Sequence, residues 1–404
     1  MKQIINHFTD NDLYTFSVGY YILQNYPRAE VEYTFFDRNK TCYPKGFAEL
    51  LTEQMEGMKN VIITYEEVEF MKNNCYFLPH WYIETFLRGY RFNPKELTIS
   101  QDEEGHLSIQ VKGKWWSTIM WEMPILSTIS ELMHIINGDI DGYNEMLEYV
   151  RSKQKAIKAL GSGITIADMG TRRRLSFHHQ DMVIKVFKEI SDKEQYNFSG
   201  KFIGTSNVYF AMKYGLKCIG TMSHQMISFE ETVSGIFECN YNVMNKWSET
   251  YDGDLGTMLY DCFGDKVFFN NLSKKMAMLF SGVRVDSGVE EEQVEKLIDK
   301  YNSLSIDPST KQVIFSNGLN IDRAIELHKY VNGRMKDSYG IGTHLTCDVT
   351  NCKPMNIVIK LTKGRITEKR EWHDCVKLSC DKGKTLGNKM KCDYLLNIIE
   401  NANN

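Results

Sequence analysis

Apolar positions recur in two rhythms along the chain. Up to about residue 138 strand-like and helix-like stretches are mixed. "VEYTFFDR" (Val31 to Arg38) is dense in β-formers, and "NPKELTISQ" and "HLSIQVKG" read as an antiparallel pair around "DEEGH". "PILSTISELMHIIN" (Pro124 to Asn137) carries apolar residues at helical spacing behind a proline at a helix start. From about residue 160 short β-rich segments take over: "ITIADMG", "FIGTSNV", "KCIGTMS", "MLYDCFG", "KMAMLFSGVRVDSG", "KQVIFSNGLN", "SYGIGTHL" and "MNIVIKLT". Amphipathic runs such as "VEEEQVEKLIDKYNSL" separate them. Strands alternating with helices predict βαβ units and a parallel sheet. Roughly eight such units predict an irregular (β/α) barrel, whose active face lies at the C-terminal strand ends. Most of these segments end in Gly, Ser, Asn, Asp or Thr.

The predicted class is therefore α/β: an irregular (β/α) barrel with an N-terminal α+β domain completed by the C-terminal segment. The expected boundaries are 1–138 for the N-terminal domain and 139–364 for the barrel. Residues 365–404, polar and basic in their first part, are expected to pack on the N-terminal domain.

Composition narrows the class. Of 404 residues, 42% are apolar and 25% charged, ordinary values for a globular chain with ample core material. The net charge of −4 leaves no chain-wide basic footprint for nucleic acid. "MKQIINHFTDNDLY" has no apolar signal-peptide core, and no apolar run approaches the roughly 18 residues that span a bilayer. A cytoplasmic protein with no membrane partner is expected. The ten cysteines are scattered without any Cys-x-x-Cys. Cys347 and Cys352, like Cys375 and Cys380, stand five positions apart, which is not read as a zinc spacing. Buried free thiols are expected.

The strand ends hold the candidate chemistry. "DMGTRRR" places Arg172, Arg173 and Arg174 after a strand and a glycine. Arginine forks bind phosphate and carboxylate, and three cations near a helix start gain nothing from its dipole, so at least one is read as an anion ligand. His178 and His179 are read as packing or surface residues. "GTSNV" and "GTMSHQ" end two strands in small residues, giving Thr205, Ser206 and His224. A Gly-Thr pair alone is most often a turn, and a lone histidine is most often structural. "MLYDCFGD" offers Asp261, and "FSGVRVDSG" offers Arg284 and Asp286, an ion pair or a ligand pair on one side of a strand. "SNGLN" and "YGIGTH" add Asn317, Gly318, Gly340, Gly342 and Thr343 as an anion nest. A Ser206–His224–Asp261 hydrolase triad lacks its nucleophile elbow.

Taken in order, "TDNDLYTF", "DMGTRRR", "GTSNV", "GTMSH", "LYDCF", "GVRVDSG", "SNGLN" and "YGIGTHLTCD" resemble nicotinate phosphoribosyltransferase, from about residue 9 to 360. The resemblance implies a cytoplasmic enzyme of NAD biosynthesis. Such an enzyme joins nicotinate to 5-phosphoribosyl 1-pyrophosphate, releasing nicotinate mononucleotide and pyrophosphate. ATP is a co-substrate through a phosphohistidine, and Mg²⁺ is implied nearby. On this resemblance His224 is the phosphorylated histidine, Asp261 orients it, and Asp286 holds the ribose hydroxyls. Tyr14 stacks on the pyridine ring across a homodimer interface, with Met169 opposite, and Thr205 lies in the floor of the base pocket. Arg284 faces the nicotinate carboxylate and Arg172 the pyrophosphate. Asn317 falls at the adjoining Ser-Asp position, and Gly318, Gly340, Gly342 and Thr343 cradle the 5-phosphate. Ser206 stands where nicotinamide-specific relatives carry an aspartate, which favours nicotinate. Met169, Gln225, Val289 and Asn317 depart from the family's usual Phe, Glu, acidic residue and Asp. Those departures motivate one alternative, a catalytically weakened regulatory paralogue; a second, within the class, is a nicotinamide phosphoribosyltransferase, against which Ser206 argues.

Overall fold

The alternation in "VEYTFFDR" becomes strand β1 (Glu30–Asp37), which buries Val31, Tyr33 and Phe35 between half-buried neighbours. In the computed structural model, which describes residues 2–140, 142–349, 352–379 and 385–402, β1 is the centre of a five-stranded antiparallel sheet. The predicted hairpin is there: β2 (Leu97–Gln101) pairs antiparallel with β3 (Leu107–Lys114). On the other side of β1 lie β11 (Ile357–Arg365) and β12 (His373–Asp374), giving the order β12-β11-β1-β3-β2. The helix Glu122–Ile136, with Pro124 in its first turn, is almost wholly buried.

The second sheet is parallel and has seven strands, β6-β5-β4-β10-β9-β8-β7. They are β4 (Thr165–Asp168), β5 (Lys201–Thr205), β6 (Lys217–Cys218), β7 (Thr257–Leu259), β8 (Gly282–Val285), β9 (Gln312–Phe315) and β10 (Lys336–Ile341). One expected barrel segment is missing from it. "MNIVIKLT" is β11, which pairs antiparallel with β1. The predicted span 139–364 therefore gives up its last strand to the other sheet. The physical reason is visible in the residues. A parallel barrel strand is covered on both faces and reads as a continuous apolar run, whereas Lys360, Thr362 and Lys363 interrupt this one.

The parallel sheet curls until its two edges nearly meet. His224, just past β6, and Asp261, just past β7, lie on opposite edges in the strand order yet are 2.8 Å apart. They follow consecutive strands in sequence, but side chains rather than backbone bonds link those strands.

Each Gly-Thr pair has its own steric cause. Gly204 has φ +151°, and a Cβ there would sit 2.1 Å from the Lys217 carbonyl oxygen, so only glycine lets β5 and β6 pair. Gly204→Ala is expected to destabilise the chain by about 1–3 kcal/mol, read as a lower urea midpoint at unchanged slope. At Gly220 a Cβ would lie 3.1 Å from Leu13 Cβ and 3.2 Å from Tyr14 N. The missing side chain admits the start of the helix Leu13–Asn25, whose first amide donates to the Ser206 carbonyl at 2.8 Å.

The C-terminal segment touches both units. β12 extends the antiparallel sheet, while Leu378 N donates to the Cys262 carbonyl beyond β7, at 2.9 Å. The described cysteines are free and mostly buried, and Cys380 lies outside the described residues. No described helix is long and apolar enough to cross a membrane.

Candidate active site

At the C-terminal ends of the parallel strands opens a cleft of about 420 Å³, walled on one side by β11 and Tyr33 of β1. The loop after β4 brings Met169 and Arg172, the end of β5 brings Ser206, and the turn after β6 brings His224. Arg284 and Asp286 come from β8, Asn317 and Gly318 from the loop after β9, and Gly340, Gly342 and Thr343 from the end of β10. Tyr14 enters from the first helix of the same chain, through the gap that Gly220 leaves. Its presence in the cleft therefore needs no second subunit.

His224 opens the helix His224–Ser234, and its Nε2 is 2.8 Å from Asp261 Oδ1. Asp261 also accepts from Ser287 Oγ at 2.7 Å and from Lys377 Nζ at 3.1 Å. Lys377 Nζ is 3.0 Å from His224 Nε2 as well. Burial and the Lys377 cation pull the imidazole down to about 4, so the ring is neutral at pH 7. Asp261 is buried, which alone would raise it, but His224, Lys377 and Ser287 hold it well below the usual carboxylate range. Asp286 accepts from Ser316 Oγ at 2.9 Å and is 3.8 Å from both Arg284 Nη2 and His224 Nε2. It too stays below its ordinary range despite burial, through Arg284 and then His224.

Six cationic side chains line the cleft, Arg38, Arg172, Arg173, Arg284, Lys360 and Lys377, against three carboxylates, Asp12, Glu122 and Asp286. The Nε–H groups of Arg38, Arg172 and Arg284 are buried and make no hydrogen bond. Six cations against three carboxylates leave the cleft with a positive excess that suits an anionic ligand. The three consecutive arginines divide. Arg172 Nη2 bonds Glu122 Oε1 at 3.0 Å, and Glu122 accepts from Tyr14 OH at 2.6 Å. Arg173 faces the cleft and is lowered to about 10 by burial and its neighbour Arg172. Arg174 is fully buried in a two-pronged pair with Asp10, both bonds 2.7 Å, and serves the structure.

Family comparisons agree with this architecture. The model of the nicotinate phosphoribosyltransferase (NAPRTase) family matches residues 164–394, and that of its N-terminal domain matches residues 9–130. A nicotinate phosphoribosyltransferase of Desulforapulum autotrophicum is 38% identical over 98% of this chain and 99% of its own length. The crystal structure of the Porphyromonas gingivalis nicotinate phosphoribosyltransferase superposes with TM-score 0.93 at 39% identity, covering 98% of this chain and 100% of that one. A Vibrio cholerae structure of the same name reaches TM-score 0.85 at 25% identity, covering 100% of this chain and 98% of that one.

The chain belongs to the nicotinate phosphoribosyltransferase family.

Within this NAPRTase cleft two expected residues stand behind the surface rather than on it. Asp261 backs His224, and Thr205 is fully buried, donating to Asp168 Oδ2 at 2.7 Å beneath the floor. Ser206 faces the cleft, but its Oγ–H is spent on Asp12 Oδ1 at 2.8 Å. It is not free to act as a donor to a substrate carboxylate, and it makes no bond to His224, so no Ser-His-Asp triad forms. Gly340 gives up its side-chain space to Met169, whose Sδ would lie 2.3 Å from a Cβ there, while Gly318 (φ +59°) borders open space. Of the departures, Val289 is exposed beyond the cleft, and Gln225 Oε1 accepts from Trp115 Nε1 at 3.1 Å and from Tyr33 OH. His179 is buried and accepts or donates at Tyr143 OH, while His178 is exposed.

Lys377, Lys360, Arg38, Glu122 and Asp12 escaped the sequence reading. Lys360 is the one that β11 itself could have betrayed, as a cation between Ile359 and Leu361.

Proposed function

We propose that this member of the family joins nicotinate to 5-phosphoribosyl 1-pyrophosphate and couples the step to ATP through a phosphohistidine at His224. The excess of cations over carboxylates in one cleft carries the reading. A pyridine carboxylate and a pyrophosphate are both anions, and buried arginine donors stand ready for them. The aspartate Asp12 lies beside Ser206, so the preference for nicotinate rests on Arg284 and the surrounding cations rather than on residue 206. In the proposal Arg284 meets the carboxylate, Arg172 the pyrophosphate, and Tyr14 and Met169 the ring.

His224 supports the coupling because its ring is neutral and held. Asp261 accepts the hydrogen bond of Nε2–H, which leaves the lone pair of the neutral ring on Nδ1 as the phosphate acceptor. Lys377 fixes Asp261 from its other oxygen. For Mg²⁺ the donor set fits through Asp286. Asp261 already accepts from three neighbours, whereas a carboxylate lining the cleft beside substrate phosphates is a usual Mg²⁺ ligand. Bound there, the ion would offset pyrophosphate charge. Residues His224, Asp261 and Asp286 speak against the weakened-paralogue alternative. The homodimer rests on the family resemblance alone.

The test is mononucleotide formed from nicotinate or from nicotinamide, each with and without ATP. Nicotinate should be the better base, and ATP should raise its yield. Equal use of nicotinamide would overturn the substrate reading, and indifference to ATP the coupling.

A pH effect follows from Lys360, which burial and then Arg172 lower to about 8. It is charged below that value and loses its charge as pH rises through it, so affinity for the anionic substrates should fall severalfold from pH 7 to 9. Lys360→Arg keeps the charge and should flatten this slope, as read from substrate dissociation constants at each pH.

A further inference from the structure

A second polar cluster lies outside the cleft, where the end of the helix Glu122–Ile136 meets the segment after the short helix Thr343–Thr346. His134, Cys347 and Cys352 place one ligand atom each within 4.8 Å of the others. Cys347 Sγ is 3.4 Å from His134 Nε2, Cys352 Sγ is 3.4 Å from Nδ1 and 4.0 Å from Nε2, and the sulfurs are 3.9 Å apart. Zinc bonds of about 2.3 Å to sulfur and about 2.0–2.1 Å to nitrogen, set tetrahedrally, imply edges of about 3.8 Å between sulfurs and about 3.6 Å from sulfur to nitrogen. The triangle has that size before any ion is added. His134 Nδ1 is 2.7 Å from Asp139 Oδ2. A carboxylate on Nδ1, leaving Nε2 to face the Cys347 thiol, is the usual outer support of a metal-bound histidine.

The cysteines are five positions apart, so four residues intervene. That falls inside the Cys-x₂₋₄-Cys range of zinc sites. His134 and Cys347 are buried, while Cys352 and Asp139 are partly exposed and give the ion a way in. A thiol pair built only for oxidation has no use for a carboxylate-held imidazole within 4.0 Å of both sulfurs.

We propose that Cys347 Sγ, Cys352 Sγ and His134 Nε2 bind one zinc-class divalent cation, with Asp139 orienting the imidazole, as a structural brace for the cleft wall. The braced segment is continuous with the cleft. Thr343 lines it, Thr346 Oγ1 donates to the Gly170 carbonyl at 2.9 Å, and Leu175 N donates to the Thr346 carbonyl at 2.8 Å. None of the three ligands lines the cleft itself.

The experiment strips the full-length chain with a chelator under reductant and reconstitutes it with Co²⁺ or Zn²⁺. The expected result is one tightly held equivalent and a thiolate-to-cobalt charge-transfer band. Cys347→Ser with Cys352→Ser should lose both, and Cys42→Ser, exposed elsewhere, should keep both. Asp139→Asn should keep the band but hold the metal about 10–100-fold more weakly. It leaves every ligand in place, so it tests the orienting role even where the serine variants do not fold, while the wild-type cobalt band tests the site itself. Absence of a tight equivalent overturns the proposal. So does cobalt held without the thiolate band, which would place it at the sulfur-free His224, Asp261 and Asp286 cluster, or a band that survives the double serine change. Unchanged affinity in Asp139→Asn overturns the orienting part.

Discussion

His224→Ala is expected to reduce ATP hydrolysis to background while leaving a slow, ATP-independent synthesis of mononucleotide. The imidazole is the neutral nucleophile in the proposed coupling, and nothing else beside it can replace it. Lys377 is a cation at 3.0 Å, and Asp261 is a carboxylate already accepting from its neighbours. The remaining synthesis follows because Arg172, Arg284 and Asp286 still assemble the substrates, and positioning alone accelerates a two-substrate step. Asp261→Asn should move the same way but less far, since an amide does not fix the ring's tautomer. ATP consumed, mononucleotide formed and acid-labile phosphate on the protein, followed in one tube, check all three. If the His224→Ala chain still hydrolyses ATP in step with product, the acceptor is another residue.

Arg284→Ala is expected to weaken nicotinate binding by about 2–5 kcal/mol, roughly 30- to several-thousand-fold, with ATP affinity changed much less. The closest carboxylate contact of Arg284 is a loose 3.8 Å to Asp286. A residue kept for a structural ion pair would resemble Arg174, bound at 2.7 Å on both prongs. Arg284→Lys should fall between, keeping charge and losing the fork. Titration calorimetry with nicotinate and with ATP separates the two losses. An unchanged nicotinate constant would make Arg284 structural.

The strand-end motifs were readable because barrel geometry carries consecutive βα ends to one face, so residues 169, 206, 224, 284, 317 and 342 meet through local rules alone. Lys377 was not readable. It reaches His224 from a polar C-terminal stretch whose composition resembles any solvated surface. Thr205 was misplaced because a strand alternates its faces. Ser206 looks into the cleft, so its neighbour must look into the floor. The sheet membership of "MNIVIKLT" was lost for another reason. Strand propensity says that a segment is extended but not which partner it pairs with, and β11 finds β1 across more than three hundred residues. The His134 cluster combines a helix end with a distant loop, a juxtaposition that no local pattern carries.

The seam between β6 and β7 gives the cylinder a hinge line. Elsewhere widening the wall means breaking backbone ladders, but there it means parting His224 from Asp261. Amides on the two edge strands should therefore exchange with deuterium sooner than those of β4 and β10 at the middle of the sheet. In the proposed coupling a phosphoryl group would join Nδ1 and leave the Nε2 bond to Asp261 in place, so the barrel would stay fastened while the side chain changes its chemical state.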